Sequence, residues 1–121
     1  MTSILNLNLK DQFLRLENIR GLSSDKNNAA FISNTIIECI EDVTGVYGFT
    51  GKNKSPINSE PRFMLFYIMH VIGFTHKAIG AATDLHHTSV ISGIRKHRGL
   101  MGVDRKYKNQ FEAVVNELPE L

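Results

Sequence analysis

Residues 74–100, FTHKAIGAATDLHHTSVISGIRKHRGL, hold two stretches with helical periodicity and almost nothing between them. Thr75 is a good N-cap and Phe74 can staple back onto Ile79, so a short helix starts there and ends near Ala82. Thr83, Asp84 and Leu85 make the turn, and a longer helix follows from about Thr88 to Leu100. Helices joined this tightly must cross at close range, which demands small or apolar residues at the contact. Ala78, Ile79 and Ala82 are the expected packing face of the first helix. In the second, Val90, Gly93, Ile94 and His97 fall on one stripe. Thr88, Ser89, Ser92, Arg95, Lys96 and Gly99 fall on the other.

Helical signals dominate elsewhere as well. Asn27 or Asn28 can cap a helix in which Ile32, Ile36, Ile40 and Val43 recur at three- or four-residue steps, with Gly45 as its stop. Phe13, Leu16, Ile19 and Arg20 suggest a shorter helix ending at Gly21. Ser59 or Glu60 followed by Pro61 marks another start, because proline suits the first turn, where its missing N–H costs nothing. That helix runs through Phe63, Phe66, Tyr67 and His70 to Gly73, apolar nearly all round and therefore central. Asp104 caps a last helix to about Leu118, with Phe111, Val114, Val115 and Leu118 on one side. No alternating run bounded by hairpin turns predicts a strand. The expected fold is an all-α helical bundle.

The Gly-, Asn-, Ser- and Pro-rich segment 45–61 is the best linker or long loop, and it contains Lys52 and Lys54. It divides the chain into an N-terminal helical segment, residues 1–48, and a second unit, residues 49–121. The first is a candidate region for protein contact or dimerisation.

The chain of 121 residues, with 42% hydrophobic and 21% charged residues, suits one globular domain or one domain plus an appendage. The longest apolar run, residues 63–74, is too short to span a bilayer, and no signal peptide opens the chain, so no membrane partner is expected. Cys39 is alone, which excludes an internal disulfide and fits a reducing cytoplasm; on an apolar helix face it serves as packing.

Net charge is only +2, but its distribution is uneven. In residues 1–45 the acids Asp11, Glu17, Asp25, Glu38, Glu41 and Asp42 outnumber Lys10, Arg15, Arg20 and Lys26. In residues 86–108 the bases Arg95, Lys96, Arg98, Arg105, Lys106 and Lys108 face a single acid, Asp104. A basic segment joined to a mildly acidic one is a common layout for a nucleic-acid reader.

Metal and enzyme chemistry find little support. His86 and His87 are adjacent, so on a helix their side chains diverge by about 100°, and neither His70 with His76 nor His87 with His97 has chelating spacing. Ser89, His86 and Asp84 supply the ingredients of nucleophilic catalysis, but at the spacing of a capped turn and without a Gly-x-Ser-x-Gly elbow. No metal, cofactor or enzymatic activity is expected.

The plan that does fit is a helix-turn-helix. Short donors and acceptors at the start of the second helix can approach base edges in a major groove, and the bases in later turns suit phosphates. The bland alternative is a soluble surface helix whose cations complement its C-terminal dipole. One such unit covers few base pairs, so a homodimer would supply a repeated half-site. The stripe Ile32, Ile36, Ile40 and Val43 is a candidate seam, unless it packs against the helix of residues 63–74 in one core.

Several residues in order carry a resemblance: Pro61-Arg62, Ile79-Gly80, His86-His87-Thr88-Ser89-Val90 and Ile94-Arg95-Lys96. From Glu60 to Leu118, about half its length, the chain resembles the C-terminal DNA-binding domain of DnaA, the bacterial chromosomal replication initiator. The resemblance implies a helical bundle of the Trp-repressor and DnaA C-terminal kind, and a double-stranded DNA partner. It implies a cytoplasmic, nucleoid-associated protein of a bacterial cell or phage-infected host. The family's His-Thr pair, which reads bases in the major groove, falls on His87 and Thr88, with His86, Ser89 and Ser92 beside it. Arg62 corresponds to the arginine of the Pro-Arg pair at the DNA, and Arg95, Lys96 and Lys77 are backbone candidates. Lys54 and Lys52 are nearest to a basic loop that enters the minor groove in the family.

This sequence departs from the family at the base-reading surface. The family's aspartate before His-Thr is His86 here, its Gly-Gly-Arg turn is Thr83-Asp84-Leu85, and a proline of its short helix is Lys77. The same target sequence is therefore not implied. No Gly-x-x-x-x-Gly-Lys-Ser/Thr loop is present, so the expectation is a replication or transcription regulator or accessory factor rather than a complete initiator. The rival expectation is a protein-interaction module or inhibitor built on the same scaffold.

Overall fold

The computed structural model describes residues 29–50 and 55–118. Five α-helices make up this part of the chain: α1 (Ala29–Thr44), α2 (Ser59–Ile72), α3 (His76–Thr83), α4 (His87–Val103) and α5 (Arg105–Glu117). A 3-10 turn, Pro56–Asn58, leads into α2. Among the described residues there is no strand, and no helix is long and apolar enough to cross a membrane. The all-α bundle expected from the periodicities is what forms. The short helix around Phe13 and Leu16 lies outside the described residues, as do Lys52 and Lys54.

Local signals set most of the ends. The N–H of Gly45 donates to the Glu41 carbonyl at 2.8 Å and closes α1. Pro61 sits inside the first turn of α2. Thr75 accepts the Ala78 N–H at 3.1 Å, and Asp104 accepts the Tyr107 N–H at 3.0 Å, each satisfying a donor that a helix start would leave orphaned. Helix α4 begins one residue earlier than expected, at His87, and continues to Val103. It reaches that far because the Asp104 N–H still finds the Leu100 carbonyl at 2.8 Å.

α2 is the hub. It packs against α1, α3 and α4, and Met64, Leu65, Ile68, Met69 and Ile72 are buried along it. α1 belongs to this same core, packing on α2 and α5 through Ile32, Ile36 and Ile40. The stripe read as a candidate dimer seam is therefore consumed inside the fold. An apolar stripe carries no label for what covers it, and here the cover is the chain's own α2 and α5. Phe49, placed by sequence in a loop, is also buried and inserts into the core, where its carbonyl accepts the Arg62 Nε–H.

The packing face of α3 differs from expectation. Ile79, Gly80 and Thr83 are buried, whereas Ala78 and Ala82 are exposed. Thr83 can go inside because its hydroxyl donates to the Ile79 carbonyl at 2.9 Å and lies 3.3 Å from that of Gly80, so no polar atom is stranded. Gly80 is required by proximity: a Cβ there would sit 2.5 Å from the Leu85 carbonyl oxygen. The turn itself is tight, with Asp84 in the left-handed region at φ 56° and the Leu85 N–H on the Gly80 carbonyl at 2.9 Å.

α2 and α4 pack closely at Gly93, where a Cβ would meet the Phe66 ring at 2.5 Å and Phe63 at 3.2 Å. Beside this crossing, His97 is buried as expected. Its ring stacks on Tyr67 at 4.1 Å, meets Phe111 edge-on at 4.5 Å, and lies 2.6 Å through Nδ1 from the Tyr107 hydroxyl. Burial, and then Arg98 nearby, lower the pKa of His97 to about 4, so the imidazole is neutral in the folded protein.

Two stability outcomes follow. Gly93→Ala gains helix propensity of about 1 kcal/mol but overpacks a buried ring, and a net loss of about 1–2 kcal/mol is expected in urea unfolding. For His97, the unfolded chain binds a proton near pH 6.5 while the folded chain does not until about pH 4. Stability is therefore complete above pH 6.5 and falls as pH drops toward 4. Between pH 7 and pH 5 the loss is about 2 kcal/mol. His97→Gln, which cannot titrate, should flatten that slope; an unchanged slope would place its origin elsewhere.

Candidate nucleic-acid interface

Once Val90, Gly93, Ile94 and His97 are turned into the core, the periodicity of α4 fixes what faces out. Thr88, Ser89, Ser92, Arg95, Lys96 and Gly99 are all exposed. The five residues with functional side chains run from hydroxyls near the N-terminus to cations in the middle of the helix. His86 is exposed just before the helix, and His87 is half-buried at its first position.

α2 supplies the opposite wall. Arg62 and Phe63 from α2, with Thr88, Ser89, Ser92 and Lys96 from α4, line an open groove of about 560 Å³. Phe66 and Gly93, the close-contact pair, form its floor. Lys96 lies over the Phe63 ring, its Nζ 5.7 Å from the centroid, so the cation is held at the groove rather than trailing in solvent. Arg62 is half-buried and tied through Nε to the Phe49 carbonyl, and its burial lowers its pKa from the ordinary arginine value. The groove thus brings together Arg62, Thr88, Ser89, Ser92 and Lys96. Arg95 is on the same face of α4 but outside the lining, and Lys77 is exposed on α3. A second concavity of about 670 Å³ continues past Phe63 and Lys96 to Leu100 and Val103.

The histidines are arranged differently from the expectation. His86 and His87 do not diverge: their rings lie 4.3 Å apart at 33°. The 100° rotation between neighbours holds within a helix, but His86 is the extended N-cap of α4, at φ −71° and ψ 146°. Its Nδ1 accepts the Thr88 N–H at 3.2 Å and lies 2.8 Å from the Thr88 hydroxyl. His86 therefore engages Thr88, not the Ser89 of a catalytic arrangement. Among the described residues no three of His, Cys, Asp or Glu converge as a metal site.

Two features of this region were missed. His70 and His76, far from chelating spacing, stack at 5.3 Å across the corner between α2 and α3. Burial, then His76 and Arg98, lower the pKa of His70. Phe63 and Ser59 belong to the groove. Phe63 lies on a helix apolar nearly all round, so periodicity gave no sign that its ring would be half-exposed. No protein-family profile, curated protein or solved structure matches this chain.

Proposed function

We propose that the chain is a sequence-specific double-stranded DNA-binding protein, a replication or transcription regulator or accessory factor. In this reading α3, the turn and α4 act as a helix-turn-helix with α4 in the major groove. The observation that carries it is the mixed face of α4, where exposed hydroxyls give way to Arg95 and Lys96, with Lys96 opposite Arg62 across one groove. That order matches the division of labour at DNA: short polar groups for base edges, long cations for phosphates. The positive N-terminal end of α4 adds to the attraction for an anionic partner.

The position of the cations supports the same reading. Had Arg95, Lys96 and Arg98 been in the last turn, they would serve the helix dipole. α4 continues to Val103 and has no basic residue in its last turn, so the dipole does not account for them. His87 and Thr88 remain the proposed base readers, with Ser89 and Ser92 beside them. Arg62, Lys77, Arg95 and Lys96 are the proposed backbone contacts. The resemblance to the DnaA C-terminal domain agrees with this assignment. A second reading, a protein-interaction module, is favoured by the exposed Val103 that lines the second concavity.

The test is selection of duplexes from a random pool, followed by anisotropy titrations at 50 and 200 mM salt. Affinity should fall steeply with salt as counterions are recaptured. Arg95→Ala and Lys96→Ala should each weaken all duplexes alike and reduce the log–log salt slope by roughly 0.9. His87→Ala and Thr88→Ala should instead narrow the gap between selected and random duplexes. Salt-insensitive binding with the same response from all four variants would sink the DNA reading.

A further inference from the structure

We infer that His86 is a positioning residue that fixes the hydrogen-bond polarity of Thr88, so that the base facing Thr88 presents an exocyclic amine in the major groove, adenine or cytosine. The inference rests on the DNA-binding reading above for the base, but not for the clamp itself.

A backbone N–H can only donate. The Thr88 N–H is directed at His86 Nδ1 at 3.2 Å, so Nδ1 carries the lone pair and the neutral ring holds its proton on Nε2. The same Nδ1 lies 2.8 Å from the Thr88 hydroxyl oxygen. With no proton on Nδ1, that contact requires the hydroxyl to be the donor. The proton of Thr88 is thereby turned inward, and the oxygen lone pairs are left facing the groove that Thr88 lines. A hydroxyl that ordinarily rotates to suit either partner becomes an acceptor.

The ring has little freedom to abandon this role. It lies against His87 at 4.3 Å, and its backbone is fixed by the turn anchored on Gly80, where the Leu85 carbonyl leaves no room for a Cβ. The His86 carbonyl also accepts the Ser89 N–H at 2.9 Å. Ser89 and Ser92 are exposed and carry no comparable side-chain clamp, so their hydroxyls can face a donor or an acceptor. In the major groove adenine N6 and cytosine N4 are donors, whereas guanine offers O6 and N7 and thymine offers O4, all acceptors. Thr88 held as an acceptor therefore favours the first pair and leaves guanine or thymine facing lone pairs.

Two measurements test the inference separately from DNA binding as such. Imidazole nitrogen NMR of the free protein at pH 8 should show His86 with an unprotonated Nδ1 and a proton on Nε2; a proton on Nδ1 overturns the clamp whether or not DNA binds. Duplex selection is then run with the wild-type chain, Thr88→Val, His86→Ala and His86→Asn. The position at which Thr88→Val loses its preference should be adenine or cytosine in the wild-type set. His86→Ala should relax that preference roughly three- to tenfold, the worth of one hydrogen bond. His86→Asn, whose side-chain oxygen can cap the helix in the same way, should retain it. Guanine or thymine at that position, or an His86→Ala preference equal to wild type, overturns the inference, as does a failure of His86→Asn to rescue. If no duplex is enriched although Nε2 carries the proton, the DNA reading falls and the amine-bearing base with it.

Discussion

The crossing of α2 and α4 at Gly93 is the contact on which the rest of the arrangement depends. Because Gly93 lacks a side chain, the Phe66 ring lies directly against the α4 backbone, and a Cβ added there would have to displace that ring. Val90, Ile94 and His97 are then committed to the interior, and the period of the helix sends Thr88, Ser89, Ser92, Arg95 and Lys96 to the opposite side. The same crossing brings the first turns of α2 alongside α4, which is why Arg62 and Phe63 form the other wall of the groove. Core packing and site geometry here are one constraint seen from two sides.

A buried polar contact fixes the register of α4 against its other neighbours. His97 reaches Tyr107 on α5 through a hydrogen bond and Tyr67 on α2 through ring stacking, with Phe111 against its edge. Burial raises the pKa of Tyr107 and lowers that of His97, so the hydrogen bond joins two neutral groups. An apolar residue would fill the same space, but it could slide along its neighbours. A hydrogen-bonded pair has one register, and that register places the outward stripe. The cations of α4 stay out of this interior, since Arg95, Lys96 and Arg98 are all exposed.

What could be read from the sequence was what is local. The caps at Thr75 and Asp104, the stop at Gly45 and the start around Pro61 are each decided within a few residues. The two stripes of α4 follow from its period alone. Non-local packing was harder. Ile32, Ile36 and Ile40 read the same whether a partner or the chain itself covers them, and a boundary at residue 48 cannot be seen to cut through one core. Phe49 has no periodic neighbours to mark it as buried. In α3 the small residues expected at the interface were alanines, but the backbone approaches so closely that only Gly80 fits, and Thr83 is buried by satisfying its own hydroxyl.

His86 shows how a residue type can mislead when its backbone conformation is not known. Two adjacent histidines on one helix would diverge, and an imidazole where the resembling family has an aspartate looks like the loss of an acceptor. In the extended N-cap conformation neither holds: the rings lie close together, and Nδ1 accepts the Thr88 N–H much as a carboxylate oxygen would at a helix start. What changes is the charge. A carboxylate at that place would carry a full negative charge toward the phosphates of the proposed duplex, whereas a neutral imidazole caps the helix without it. In the proposed DNA-binding reading, the exchange keeps the cap and would remove a repulsion. Altered specificity at His86 would, in the same reading, come through control of the Thr88 hydroxyl rather than through a new contact with a base.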